Sequence, residues 1–396
     1  MPPFTLPDLL VMADGSPVSD ARAWREKRRP EILGLFEEYM FGWLPLAARS
    51  PAGMWFEGTA PAQSALGGLA LRKEVLVHFT PGSDGPQMSL LFYLPVDASH
   101  PVPAFLGLNF FGNHTLRDDP GVTLSKQWMQ TFGQGVVDNL ATEASRGTAT
   151  SRWDVETILQ RGYALVTAYC GDLYPDFDDG FQNGVHPLFY RLGQTHPDAD
   201  EWGTIAAWSW GLSRALDYLE IDPAIDAHRV AVIGHSRLGK TAAWAGAADE
   251  RFALVISNNS GCGGAALARR HFGETVKLIN DRFPHWFCAN FRKYNDRENE
   301  LPIDQHQPLA LVAPRPLYVA SAEEDRWSDP RGEFLSALHA SSVYKLLGVE
   351  GLPVAEMPPL NQPAVGTIAY HIRTGGHDVT SFDWAQYLDF ADRYLI

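Results

Sequence analysis

Gly234-His235-Ser236-Arg237-Leu238-Gly239-Lys240 is the stretch that decides how this chain folds. The β-branched apolar run Val230-Ala231-Val232-Ile233 leads into it, and the alanine-rich stretch Thr241 to Ala248 follows. The run reads as a buried strand and the alanine-rich stretch as a helix. A strand that turns sharply at a serine and continues as a helix lifts the hydroxyl above the sheet, within reach of a base. The second glycine of a G-x-S-x-G pattern falls one place late, because Leu238 precedes Gly239. Arg237 and Lys240 add two cations to the turn, suited to resident or developing negative charge.

Strand, serine turn and helix together form the nucleophile elbow of α/β-hydrolases, whose chain order is serine, acid, histidine. A serine hydroxyl is a weak nucleophile; it needs a base, and the base needs an orienting acid. His377, in Gly375-Gly376-His377-Asp378, follows the last predicted strand and precedes the last predicted helix, so it is the candidate base. His371 lies within that strand and reads as structural. The acid is expected after the preceding strand, where Glu323-Glu324-Asp325-Arg326-Trp327 offers three carboxylates. Asp325 is the first choice and Glu324 the second; a solvated acidic loop is the bland alternative. The backbone N–H of Arg237 follows the nucleophile and is an expected oxyanion donor, with its guanidinium as a charged supplement. Lys240, one helical turn on, is placed to reach the same mouth.

Working outward, strands are expected at Leu71 to Phe79, Met88 to Leu94, Ala104 to Phe110, Tyr163 to Tyr169, Phe252 to Ile256, Pro316 to Ala320 and Thr367 to Ile372. Helices are expected at Trp153 to Gln160, Asp198 to Leu219, Gly332 to Leu346 and Phe382 to Tyr394. Alternation of this kind predicts an α/β three-layer sandwich: a mainly parallel central sheet flanked by helices. We read residues 1–396 as a single domain with three additions: an N-terminal wrap (1–60), an inserted loop (113–150) and a cap-like segment (265–312). Ser19 or Asp20 is placed to cap a helix through Ala21-Arg22-Ala23-Trp24.

The chain has 396 residues, 45% hydrophobic and 20% charged, which suffices for a large core. Its net charge of −15 argues against a nucleic-acid-binding face. No apolar run is long enough for a membrane span, and Met1-Pro2-Pro3-Phe4 does not begin a visible signal peptide. Cys170, Cys262 and Cys288 do not make a disulfide framework. No metal site is expected: H-E-x-x-H is absent, and Asp176-Phe177-Asp178-Asp179-Gly180 lacks calcium-loop spacing.

Gly234 to Lys240 resembles the signature of the glucuronoyl esterases, carbohydrate esterase family fifteen. Asn259-Ser260-Gly261-Cys262-Gly263-Gly264, His285-Trp286-Phe287, Leu301-Pro302-Ile303-Asp304-Gln305-His306, Ala313-Pro314-Arg315-Pro316 and Gly376-His377 match in the same order, over roughly residues 70–396. The resemblance implies an α/β-hydrolase without cofactor, secreted or periplasmic. It implies cleavage of 4-O-methyl-glucuronoyl esters that join glucuronoxylan to lignin alcohols. By position, Ser236 resembles the nucleophile, His377 the base and Arg237 the oxyanion arginine. Lys240, Glu274 and Trp327 resemble the residues that grip the glucuronoyl hydroxyls and ring; read alone, Glu274 could pair with Lys277, and Trp327 could be core.

Two departures stand out. Fungal members carry the triad glutamate where this chain has Asn259, which strengthens Asp325, the site used by bacterial relatives. Fungal members also bridge two cysteines at the places of His235 and Asp378, so these two residues are expected to meet as a hydrogen bond or ion pair. An acetyl-xylan or general carboxylesterase is the alternative activity, and a non-catalytic binding protein on the same fold the alternative class. Nothing in the sequence encodes an oligomeric state; a monomer is favoured.

Overall fold

Apolar runs between Trp55 and Arg373 assemble into one sheet of 11 strands, seen in a computed structural model that describes residues 4–49 and 51–396. In chain order the strands are β1 (Trp55–Gly58), β2 (Gln63–Ala65), β3 (Ala70–His78), β4 (Gln87–Pro95) and β5 (Val102–Asn109). A separate hairpin, β6 (Val136–Val137) and β7 (Leu140–Ala141), precedes β8 (Ala164–Tyr169) and β9 (Ile225–His235). Then come β10 (Leu254–Asn258), β11 (Leu317–Ala322), β12 (Ala364–Val365) and β13 (Ile368–Arg373). The spatial order is β1-β3-β4-β8-β5-β9-β10-β11-β13-β12, with β2 beside β3. From β8 through β13 the central pairs are parallel, while β1 to β4 form an antiparallel extension and β12 an antiparallel edge.

Every residue of β5, β8, β10, β11 and β13 is buried, as expected for strands covered on both faces. Side chains alternate between two cores. Leu106, Val166, Val232 and Val255 pack under the helices Thr204–Leu219, Arg237–Ala248 and Pro330–Leu346. Phe105, Leu165, Ala231 and Ile256 pack under Val155–Gln160 and Ser381–Leu395. Each such fully buried aliphatic or aromatic side chain contributes about 1.5–3 kcal/mol. The rim at the C-terminal ends of the parallel strands is thereby left to carry loops, where ligands bind in sheets of this kind.

Asp20 is the observed cap: its side chain accepts from the Ala23 N–H. Trp24, Ile32, Phe36 and Met40 anchor the N-terminal segment in the larger core. The wrap expected as far as residue 60 ends earlier, because β1 pairs with β3 as a sheet edge. The segment 113–150 consists of short 3-10 turns and the β6–β7 hairpin, tied down by Arg146 donating to the Asp119 and Val122 carbonyls. In the segment 265–312, the helix His306–Leu311 is wholly buried and packs on Arg237–Ala248 and Pro330–Leu346, so that end belongs to the helical layer rather than to a cap.

Candidate active site

Ser236 occupies the turn between β9 and the helix Arg237–Ala248 with φ 58° and ψ −129°. A positive φ at a non-glycine residue costs about 1–3 kcal/mol and persists only where the surroundings enforce it. Here the Ser236 N–H donates to the Asn258 carbonyl at 2.9 Å, and its own carbonyl accepts from Gly239 at 2.8 Å. A Cβ on Gly234 would lie 1.9 Å from the Leu238 carbonyl oxygen, so the turn closes only over glycine. The late glycine has its own reason: a Cβ on Gly239 would sit 3.0 Å from the Asn258 carbonyl oxygen and 3.1 Å from Ser260 Cβ. Leu238 points into the core and is 1% exposed.

The three residues selected for a relay come together. His377 Nε2 lies 2.9 Å from Ser236 Oγ, and His377 Nδ1 lies 2.6 Å from Asp325 Oδ2. Asn259 Nδ2 donates to the same carboxylate oxygen at 2.8 Å, from a backbone at φ 45°. Burial works against the Asp325 charge, but the His377 hydrogen bond and charge, with Ser328 and Asn259, outweigh it and hold this carboxyl at about 2. Asn259 thus contributes as a donor to the Asp325 carboxylate. Glu324 is outside this set; its backbone N–H donates to the Gly375 carbonyl.

Arg237 starts the helix, so its backbone N–H has no carbonyl four residues back to bond and is free for a ligand oxygen. Its guanidinium is not a surface salt bridge. Nη1 donates to Asp176 Oδ2 at 2.5 Å, and the group lies 5.2 Å from the Trp286 ring and 5.5 Å from the Phe110 ring. Asp176 Oδ1 accepts from His285 Nε2 at 3.0 Å and from Trp286 Nε1 at 2.8 Å. Burial raises the Asp176 carboxyl, yet His285 and Arg237 together pull it below its ordinary value.

Lys240, Glu274 and Trp327 form a chain. Lys240 Nζ donates to the Ser260 carbonyl at 2.7 Å, the Cys262 carbonyl at 2.5 Å and Glu274 Oε2 at 3.0 Å. Trp327 Nε1 donates to Glu274 Oε1 at 3.2 Å, and its ring is 43% exposed. The three donors of the ammonium are therefore all committed within the protein. Lys277 bonds Asp281 instead of Glu274.

The expected pairing of His235 with Asp378 does not form. His235 is buried and its Nδ1 donates to Asn258 Oδ1 at 2.6 Å, while Asp378 accepts from Arg152 Nε at 2.7 Å. His235 instead packs on the catalytic-side ring, its centroid 4.5 Å from that of His377. Burial comes first among the causes that keep it neutral, with the neighbouring His377 and Arg152 charges next. Arg152, two residues past the inserted segment, occupies the Asp378 carboxylate instead. His371 is structural, held between Tyr318 and Asp383.

Ser236, Arg237 and His377 open on a cleft of about 640 Å³, with Phe110, Phe132 and Asp176 in its walls. Lys240, Glu274 and Trp327 are not among its lining residues, and Lys240 is held by the carbonyls of the loop Ser260 to Cys262. Sequence reasoning missed Asp176, set aside with a rejected calcium pattern, and Glu333. Glu333 Oε1 accepts from the Ser260 N–H at 2.7 Å and the Gly261 N–H at 3.0 Å, and Oε2 accepts from Ser321 Oγ at 2.6 Å. A buried glutamate in a helix gives no signal in sequence of which loop it holds. Among the described residues no cluster of metal ligands occurs, and no helix is long and apolar enough to cross a membrane.

The family model described as "Glucuronyl esterase, fungi" matches residues 154–348. The chain is 52% identical to carbohydrate esterase MZ0003 from an unknown prokaryotic organism, over 100% of this chain and 90% of that protein. A solved glucuronoyl esterase from Solibacter usitatus is 52% identical with a TM-score of 0.93, covering 99% of this chain and 98% of its own. A structure described as a promiscuous CE15 esterase from a marine bacterial metagenome is 52% identical with a TM-score of 0.92, over the same 99% and 98%.

Proposed function

The chain belongs to the glucuronoyl esterases of carbohydrate esterase family 15 and is a carboxylic ester hydrolase of the α/β-hydrolase fold; from that premise we propose that it cleaves 4-O-methyl-glucuronoyl esters between glucuronoxylan and lignin alcohols by a two-step serine mechanism. The observation that carries this reading is the continuous line Ser236 Oγ, His377, Asp325, with steps of 2.9 and 2.6 Å. His377 takes the proton of Ser236 as Oγ attacks the uronoyl carbonyl, and Asp325 keeps the imidazole oriented and stabilises its cation. The Arg237 backbone N–H and guanidinium bind the oxyanion; one such donor is worth about 2.7–4 kcal/mol of barrier. His377 then returns the proton to the leaving alcohol, and water, deprotonated by the same base, releases the acid. Trp327 presents an exposed ring edge for the sugar, and Glu274, oriented by Lys240, accepts from its hydroxyls. Lys240 acts through Glu274 in this arrangement, because its own donors are taken. A polymeric substrate of this kind places the reaction outside the cytoplasm.

The description of a 52% identical relative as promiscuous favours a second reading, in which simple acyl esters are also turned over. The two readings part on one comparison. Wild-type enzyme is expected to hydrolyse benzyl glucuronate with higher kcat/KM than an acetylated xylose. Faster turnover of the acetate would sink the glucuronoyl reading and leave the general esterase.

A further inference from the structure

A second cleft opens on the same rim of the sheet, beside the catalytic one. Its volume is about 800 Å³, and its walls come from the start of β4 (Gln87, Ser89), the inserted segment (Thr123 to Gln127) and Asp172 just after β8. Tyr169 lines both clefts and is the partition between them. Its hydroxyl donates to the Trp128 carbonyl at 2.7 Å, which holds the ring in place. Since β9, β5, β8 and β4 are successive neighbours, Asp172 and Gln87 sit two to three strand spacings from Ser236, roughly 10–15 Å.

Thr59, Asn113 and Thr123 in its walls are hydrogen-bonded within the protein, while other polar groups facing the cleft are uncommitted. Asp172 Oδ2 accepts only from the Ser89 N–H at 3.0 Å, and its other oxygen has no partner among the described residues. The side-chain ends of Gln87, Ser89, Lys126 and Gln127 likewise bond no other described residue. Burial pushes the Asp172 carboxyl up to about 7, with the Ser89 N–H pulling the other way. A half-buried acceptor with one donor gains from a ligand that brings more. Two amides, a hydroxyl, one carboxylate, one ammonium and a fixed aromatic ring suit a neutral, hydroxyl-rich ligand. The carboxylate disfavours an anion, and the absence of a metal-ligand cluster among the described residues disfavours a divalent cation.

We propose that this cleft is a second carbohydrate subsite, in which Asp172, Gln87 and Gln127 bind the hydroxyls of a neutral sugar unit belonging to the same substrate whose ester lies at Ser236. The inference rests on the glucuronoyl reading for its substrate and on the cleft alone for its chemistry. The subsite adds affinity for glycan-borne esters and leaves the reaction at the ester carbonyl untouched.

The test uses Asp172→Asn, which keeps an acceptor for the Ser89 N–H, and Gln87→Ala, whose side chain supports nothing else in the fold. Each is assayed on benzyl glucuronate and on the same ester carried by a xylo-oligosaccharide. The expected result is a loss of about 5–10-fold in kcat/KM on the oligosaccharide ester, mostly in KM, the size of one hydrogen bond, with benzyl glucuronate unchanged. In parallel, calorimetry with a neutral xylo-oligosaccharide is run on Ser236→Ala with and without Gln87→Ala; binding weakened by the second substitution supports the subsite. Equal losses on both esters, or none on either with unchanged calorimetric binding, overturn it. If wild type fails to cleave benzyl glucuronate, the function reading falls, while the calorimetric arm still decides whether the cleft binds sugar.

Discussion

At the scale of single residues, the groups placed to touch reacting atoms differ from those that hold them. Asp325 has both His377 and Asn259 on one oxygen and a carboxyl held at about 2, so it stays ionised wherever the enzyme works. Asp325→Asn is therefore expected to lower kcat by about 10,000-fold, the loss seen when such an acid is neutralised, and to do so across the whole pH–rate profile. Glu324→Gln should stay within a few-fold of wild type; reversed losses would move the acid to Glu324. The depressed carboxyl also carries a stability sign. Its contribution is present above the unfolded value near 4 and is lost as pH falls through about 2, which acid unfolding of Asp325→Asn against wild type measures. Asp176→Asn keeps the shape of the Arg237 clamp but removes the carboxylate charge that orients the guanidinium, so kcat should fall about 10–100-fold with KM little changed. Circular dichroism identical to wild type would assign that loss to the guanidinium rather than to the fold.

At the scale of elements, the elbow was legible because its signals are local. A β-branched run, a glycine that tolerates no Cβ and an alanine-rich helix occupy consecutive positions, and the serine between them has nowhere else to go. His377 was legible from its place between the last strand and the last helix, whose capping box at Thr380 and Asp383 fixes the loop beside it. Pairings across elements were not legible. Asp378 takes Arg152 and His235 takes Asn258, because approach distances are set by how the inserted segment crosses the rim. Glu333 is of the same kind: from the helix Pro330–Leu346 it bonds the loop that carries Asn259 and the carbonyls around Lys240. Burial pushes its carboxyl up to about 8, with Ser321 and Gly261 bonds opposing. The folded state then holds a proton that the unfolded state releases above about 4.5, so stability declines as pH rises from there to about 8. Glu333→Gln mimics the protonated form. Its melting temperature should match wild type near pH 5 and exceed it near pH 8; a parallel shift at both pH values would contradict the buried proton.

At the scale of the whole molecule, the sheet brings three features to one rim: the Ser236–His377–Asp325 line above β9, the Glu274–Trp327 pair beyond β10, and the polar cleft above β8 and β4. The net charge of the chain is −15 while Arg237 and Lys240 are each paired to a carboxylate, so neither is an unpaired cation that would hold the anionic product. Approach of an acidic polymer is opposed by the same net charge. Raising ionic strength from about 0.01 to 0.15 M shortens the screening length from about 30 to 8 Å. It should raise kcat/KM on glucuronoxylan-borne esters and leave the uncharged benzyl ester unaffected. A fall on the polymer would mean that attraction, rather than repulsion, governs encounter. Whether Ser236 opens a glucuronoyl ester is decided by kcat on benzyl glucuronate for Ser236→Ala against wild type. A loss of at least about 1,000-fold is expected, as removal of a serine nucleophile gives in such triads; a folded Ser236→Ala enzyme that retains wild-type turnover would rule out Ser236 as the nucleophile.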